Sequence, residues 1–144
     1  MKNFKLSVLA IAVLCASPFA LADKDSRECA ANLTSTGSFF KGKTFKTTAT
    51  VSGVNQADAM KKTAQSIVAD GWQVTSSDSN LGIISAAQTV SYGAGKTAPL
   101  NITIADKEGG VNVSITYSIS GGVTSPQDAI QAQFCKIVDA IGAK

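Results

Sequence analysis

The chain has 144 residues, a formal net charge of +3 and no histidine. This length is enough for one domain with its own hydrophobic core. The weak basic balance excludes the clustered lysine and arginine of a nucleic-acid-binding protein, so no nucleic-acid partner is expected. The absence of histidine removes the commonest general base near neutral pH and most catalytic zinc sites.

The first 22 residues have the pattern of a cleavable secretory signal. Two lysines precede an apolar run over 6–15, which is shorter than the ~20 apolar residues that span a bilayer. Pro18 breaks this segment, and Ala-Leu-Ala at 20–22 supplies the small residues of a cleavage site. We therefore expect cleavage before Asp23 and a periplasmic or secreted protein. Eleven basic residues then remain against ten acidic ones.

Cys15 raises the alternative of a lipid-bearing cysteine. Leu14 stands directly before it, where lipoprotein processing requires a small residue. No second hydrophobic span follows the predicted signal. Neither a transmembrane span nor a membrane anchor is expected.

Two cysteines remain after signal removal, Cys29 and Cys135. An even pair in an oxidising compartment indicates a structural disulfide rather than a reactive or metal-binding pair. The bridge would close a loop of about 105 residues, for which the chain-entropy model gives at most ~4.7 kcal/mol of stabilisation.

The predicted elements begin after a leader at 23–43, in which the residues after 30 suggest no regular structure. Phe39 and Phe40 indicate that this segment packs against the domain. Residues 44–52 alternate between apolar and polar and predict a strand. A helix follows over 55–71, with Asn55 as its N-cap and Gly71 as its stop.

Four more strands are predicted, separated by turns at 76–80, 93–96 and 106–110. Their alternating segments cover 72–75, 82–90, 100–104 and 111–119. Ser125 then reads as an N-cap, with Pro126 as the first helical residue. A last helix carries one apolar stripe, which consists of Ile130, Phe134, Ile137, Val138 and Ile141.

These elements predict one α+β domain over 44–144, in the order β-α-β-β-β-β-α. Short turns between consecutive strands favour an antiparallel sheet of about five strands. Both helices are apolar on one face and are expected on the same face of the sheet. The pattern leaves open which edge of the meander the first strand joins.

This order resembles the helix-grip folds of several envelope lipoproteins, including the BamC-type assembly factors. The shared features are the element order, the segment Asp-Gly-Trp-Gln-Val at 70–74 and the strand Gly-Ile-Ile-Ser-Ala at 82–86. The resemblance covers about 44–141 and implies a fold; it transfers no functional residues. The chain differs from the lipoproteins because it has no suitable lipidation cysteine.

Two short motifs resemble catalytic signatures without their context. Gly95-Lys96-Thr97 resembles the end of a phosphate-binding loop, but Val90 occupies the position of the required glycine and a strand follows. Ser38 and Lys41 match the Ser-x-x-Lys of penicillin-binding enzymes, but no Lys-Thr-Gly element accompanies them. Paired acidic residues fall in a tail or a turn, where they indicate solvated charge. The sequence therefore predicts neither an enzyme nor a cofactor.

The polar face of the predicted sheet is rich in small uncharged residues. A face that is only solvated usually carries more lysine and glutamate. Small hydroxyl side chains have a low desolvation cost and lose little entropy, so they suit contact with a partner. The alternative is that threonine serves only strand propensity and solubility. The candidate partner surface consists of Thr48, Thr50, Thr103, Asn112, Ser114 and Thr116.

Four functions follow from these patterns. The leading hypothesis is a non-enzymatic binding or assembly module whose partner is an envelope protein or a second copy of itself. The second is a carrier of a small apolar ligand, held between helices and sheet around Trp72 and Phe134. The third is an enzyme of an unrecognised type, for which a carboxylate with a raised pKa in a cleft would be the clue. The fourth, for a secreted product, is an inhibitor or a host-directed antigen. A basic patch toward anionic lipid or glycan, with a solvated charged face as its alternative, would consist of Lys41, Lys43, Lys46, Lys61 and Lys62.

Overall fold

The computed structural model describes residues 27–91 and 95–144. The predicted signal at 1–22 and the start of the predicted leader lie outside these residues. The described chain is an α+β domain, as predicted. Its elements are α1 (Glu28–Ala31), β1 (Thr34–Ser38), β2 (Gly42–Ser52), α2 (Gln56–Ala69), β3 (Gln73–Asp78), β4 (Ile83–Thr89), β5 (Thr97–Lys107), β6 (Gly110–Ile119) and α3 (Gln127–Gly142).

The six strands form one antiparallel sheet in the order β1-β2-β6-β5-β4-β3. Strands β3 to β6 are the predicted meander, and β2 joins it beside β6. The sheet has one more strand, and the fold one more helix, than the sequence predicts. Both extra elements lie within 28–38, where α1 is a single turn and every residue of β1 is exposed. Neither has the apolar periodicity on which the prediction depends.

Residues of α1 and its C-cap form hydrogen bonds with the edge of β2 that faces away from β6. Strand β1 pairs with β2 only as far as Lys46. Beyond it, Asn32 Nδ2 donates a 2.9 Å hydrogen bond to the carbonyl oxygen of Thr48. Glu28 Oε2 accepts a 2.6 Å hydrogen bond from the backbone N–H of Thr50. These side chains bond backbone groups that would otherwise form an open edge, a known template for pairing with another chain.

The two long helices differ in how they begin. Asn55 caps α2 as predicted, because its Oδ1 accepts a 2.8 Å hydrogen bond from the Asp58 N–H. The prediction of Ser125 as the cap of α3 is wrong. Pro126 occupies the cap position in an extended conformation, and no side chain forms a capping hydrogen bond at this end of α3.

Strand β3 continues through the segment that was predicted to turn. Ser76, Ser77 and Asp78 pair with β4 after a register shift that follows Val74. All six residues of β3 are exposed because it is an edge strand. Its backbone pairing therefore needs no apolar alternation, and the composition of 76–78 misleads the prediction.

The larger of two hydrophobic clusters in the described residues lies between the sheet and the helices. Val111, Val113 and Ile115 of the central strand β6 are fully buried. Helix α2 contributes Met60 and Ile67 to this core, and α3 contributes its predicted stripe. The opposite face of the sheet carries no helix in the described residues.

A disulfide joins Cys29 to Cys135, as predicted. It links α1 to α3 across a sequence separation of 106 residues, with the two Cα atoms 5.2 Å apart. Both cysteines are buried and pack against Ala49 of β2. The bridge therefore fixes the first described helix and the last one on the same strand.

Candidate functional site

The uncovered face of the sheet is lined mainly by small polar residues. In β2 and β5, buried residues alternate with exposed ones along the strand. The buried set faces the helices, so the exposed set forms the uncovered face. Thr48, Thr50, Thr103 and Asn112 are exposed there, while Ser114 and Thr116 are half-buried because β6 has a neighbouring strand on each side.

The strand register makes these six residues neighbours. Thr48 pairs with Ser114, which pairs in turn with Thr103, so three hydroxyl groups form one row across β2, β6 and β5. Neighbouring strands are about 4.8 Å apart, and the row therefore spans about 10 Å. Thr50 lies opposite Asn112 in the next row. The sixth residue, Thr116, occupies the row on the other side of the Thr48–Ser114–Thr103 row.

Charged side chains on this face surround the hydroxyl-rich centre. Lys46 pairs with Thr116, and Asp78 lies on the edge strand opposite Ile83. Lys107 Nζ donates a 3.5 Å hydrogen bond to Thr50 Oγ1. The centre itself has no charge to desolvate, so a neutral polar partner surface would meet little electrostatic cost.

The structure adds residues to this surface that the prediction missed. Thr34 and Thr36 of β1 pair with Lys46 and Thr44 and extend the face by one strand. On the other side, Ser85 Oγ donates a 2.8 Å hydrogen bond to Asn101 Oδ1. The repeated small polar residues at 34–38 were the available signal, but without an apolar set they predict no strand.

A cavity of about 200 Å³ lies on the helix side of the sheet, close to the start of α3. Trp72 and Tyr117 meet edge to face in its wall, with ring centroids 5.6 Å apart. The carrier hypothesis places its ligand at this position. The lining residues are Asp70, Trp72, Gln88, Tyr117, Ser125, Pro126, Ala129, Ile130, Gln133 and Phe134.

Two ionisable groups of the cavity wall have shifted pKa values. Hydrogen bonds from Lys136 and Gln133 lower the pKa of Asp70 below its ordinary value. These bonds join the end of α2 to α3. Burial raises the pKa of the Tyr117 hydroxyl, and the hydrogen bond from Ser125 partly opposes that shift.

The motifs that resemble catalytic signatures lie in turns. Ser38 Oγ accepts a 3.3 Å hydrogen bond from the backbone N–H of Lys41, which closes the β1–β2 turn. Lys96 Nζ donates to the carbonyl oxygen of Gly121 at 3.2 Å. The Ser38 hydroxyl and the Lys96 ammonium group therefore each have a structural partner, and the element that begins directly after Lys96 is strand β5 and not a helix.

The five lysines considered for surface attachment do not form one patch. Lys46 lies on the uncovered face of the sheet. Lys62 reaches the carbonyl oxygens of Ile141 and Ala143 at the end of α3. Lys43 lies beside Pro126 at the start of that helix. Since α3 has 16 residues, its two ends are about 24 Å apart.

No protein-family model matches this chain, and no curated protein matches it in sequence. Within 27–91 and 95–144, no group of three or more His, Cys, Asp or Glu residues is arranged to hold a metal ion. No helix in that part of the chain is long and apolar enough to cross a membrane.

Proposed function

We propose that this protein is an exported, non-enzymatic binding module that contacts an envelope protein through the uncovered face of its sheet. The observation that carries the proposal is the Thr48–Ser114–Thr103 row, in which small hydroxyl groups from three strands form one surface. The alternative partners are a second copy of the chain or, for a secreted product, a host protein.

Contact with a partner has a low free-energy cost at this surface. Backbone hydrogen bonds already fix the strands, so a partner does not have to order this surface. Serine and threonine lose little rotamer entropy when they are covered, and a hydroxyl group that hydrogen-bonds the partner costs less to desolvate than a charged group. The surface therefore starts close to its bound conformation, which is the condition under which modest contacts produce specific binding.

In-cell photocrosslinking identifies the partner. Photoreactive residues placed singly at positions 50, 103 and 114 sample three different strands of the surface. Mass spectrometry of the adducts then identifies the crosslinked protein. We expect one dominant envelope protein from all three positions. Adducts with the protein itself alone would identify a homodimer surface. No adduct at any position would contradict the proposal.

Lysine variants test whether contact through this face is required. Thr103→Lys and Ser114→Lys should each weaken association with the crosslinked partner at least ten-fold, because a buried, unpaired ammonium group is costly. Gln65→Lys makes the same change at an exposed position of α2, and its association should equal that of the wild type. Unchanged association in both sheet variants, with folding verified by circular dichroism, would contradict the proposal.

A second candidate function is the transport of a small apolar ligand. The observation that favours it is the cavity beside Trp72 and Tyr117. Its volume of about 200 Å³ exceeds the ~150 Å³ of an apolar cavity that binds benzene. It is smaller than the ~300 Å³ at which drug-sized sites begin, so the ligand would be about the size of one substituted ring.

Native mass spectrometry of protein purified from its own host tests the carrier. We expect a co-purified small molecule in the wild type and its loss in Ala129→Trp, which fills the cavity. Ala132→Trp places the same bulk on an exposed position of the same helix, outside the lining residues, and should retain the molecule. Protein that is repeatedly empty would exclude this function.

A further inference from the structure

The turn between β1 and β2 exposes two adjacent aromatic side chains. Phe40 is 87% exposed and Phe39 is 44% exposed, and their rings meet edge to face with centroids 5.4 Å apart. The prediction that this segment packs against the domain is correct for its backbone and wrong for the Phe40 side chain. Exposed aromatic pairs of this kind mark contact with another molecule or with a membrane more often than isolated apolar residues do.

The backbone of this turn is held rigidly by the β6–α3 loop. The N–H of Gly122 donates a 2.8 Å hydrogen bond to the carbonyl oxygen of Phe39. A Cβ atom at Gly121 would lie 2.1 Å from the carbonyl oxygen of Phe40, so only glycine permits this approach. The rings are therefore presented on a fixed support, and their exposure is a property of the fold.

Basic residues surround the exposed rings. Lys41 lies in the turn itself, and Lys43 borders the cleft that Phe39 and Pro126 line. Lys96 reaches the same loop through its bond to the Gly121 carbonyl oxygen. We call Phe39, Phe40, Lys41, Lys43 and Lys96 the aromatic tip.

The segments that meet at the aromatic tip contain no carboxylate. Residues 29–57, 79–105 and 109–127 include neither Asp nor Glu. Asp128 follows in the first turn of α3. The tip is therefore a cationic end on a chain whose overall charge is small, and lysines in such a setting attract an anionic surface over about a Debye length.

We propose that the aromatic tip binds reversibly to the surface of a membrane that contains anionic phospholipid. Phe40 enters the interfacial layer, and the three lysines lie at the level of the headgroups. This division of roles matches the chemistry of peripheral membrane binding, in which buried apolar area and electrostatic attraction add together. The site is separate from the uncovered face of the sheet and differs from anchoring by a lipid or a membrane span.

Vesicle co-flotation of the exported protein tests the proposal. The vesicles contain equal parts of phosphatidylcholine and phosphatidylglycerol, with pure phosphatidylcholine as the neutral comparison. We expect binding to the anionic vesicles only, and its loss at high salt. Equal binding to both kinds of vesicle, or to neither, would overturn the proposal.

Matched variants locate the contact. Phe40→Ser should weaken binding about ten-fold or more, and Lys41→Gln about five-fold. Leu81→Ser removes an apolar side chain that is 65% exposed elsewhere, and Lys61→Gln removes an exposed charge on α2; both should bind as the wild type does. All variants have the same N-terminal segment, so a difference in vesicle binding between them results from the substituted side chain. Equal losses in tip and control variants would overturn the proposal.

A fluorescent variant reports insertion directly. The natural chain has one tryptophan, and Trp72 is only 7% exposed. Phe40→Trp therefore adds a tryptophan whose emission responds to its surroundings. We expect a blue shift when the anionic vesicles are added and none with phosphatidylcholine alone. Emission that does not change with anionic vesicles would overturn the proposed insertion of residue 40.

Discussion

The hydroxyl group of Thr47 donates a 2.8 Å hydrogen bond to the carbonyl oxygen of Cys29. Thr47 is only 2% exposed, so this bond connects the centre of β2 to α1 inside the protein. Thr47→Val keeps the shape of the side chain and leaves the carbonyl group without this donor. We expect it to lower the free energy of unfolding by about 1–3 kcal/mol.

Urea denaturation of the purified variants measures that difference. Thr47→Ser retains the hydroxyl group and serves as the control, with a smaller loss that reflects only the missing methyl group. A Val variant as stable as the wild type would show that the Cys29 carbonyl group finds another donor.

Removal of the disulfide should destabilise the fold strongly. The double variant Cys29→Ala/Cys135→Ala frees a loop with a sequence separation of 106 residues, and we expect a loss of about 2–5 kcal/mol. Reductant should destabilise the wild type in a similar way and leave the double variant unchanged. Intact mass after alkylation, with and without reductant, supplies the chemical control: free thiols at both positions in freshly purified protein would contradict the bridge.

The strands with a buried and a solvated face are the part of the fold that sequence patterns predict best. Residues 111–119 alternate because β6 has the core on one side only. Strand β1 has no buried residue, and α1 is too short for a helical period, so neither produces a pattern. The position of β2 beside β6 depends on pairing between distant segments, which local periodicity does not encode.

The same distinction applies to the two proposed binding surfaces. Alternation assigns Thr48, Thr103 and Ser114 to polar faces, but their proximity follows only from the strand order. The aromatic tip was harder to recognise, because Phe39 and Phe40 in a sequence normally indicate a buried position. Their exposure results from a close approach of the turn to Gly121, which depends on a loop about 80 positions away in the chain.

Asp70, at the end of α2, accepts hydrogen bonds from Gln133 and Lys136 of α3. These bonds should make the free energy of unfolding depend on pH in the acid range. The pKa of Asp70 is lowered in the folded state, so its stabilising effect is present above the unfolded pKa and is lost as pH falls through the folded pKa. We expect Asp70→Asn to cost about 1 kcal/mol or less at neutral pH and nothing below both pKa values.

Chemical denaturation at neutral pH and at an acid pH below both pKa values compares the two conditions. Glu108→Gln in the β5–β6 turn changes the net charge equally and controls for general charge effects. A loss of equal size at both pH values would assign the effect of Asp70→Asn to packing instead of charge.

Tyr117 should produce the opposite dependence at alkaline pH. Its pKa is raised above the ordinary value of 10.0, so the unfolded chain ionises first. Stability should therefore be intact below that value and fall as pH rises through the folded pKa. The difference between the wild type and Tyr117→Phe isolates this contribution, since other groups titrate in both proteins. Parallel stability curves for the two proteins would contradict the raised pKa.

The strand order also determines when the sheet can be completed. Strands β3 to β6 pair with neighbours in the sequence and can associate as soon as they are available. Strand β2 has to wait for β6, the last of the described strands, and the closure of that long loop slows its docking. During synthesis, β2 is therefore made early, and its pairing with β6 comes late. The segment most exposed to proteases or chaperones in a newly made chain should be the one that carries α1, β1 and β2.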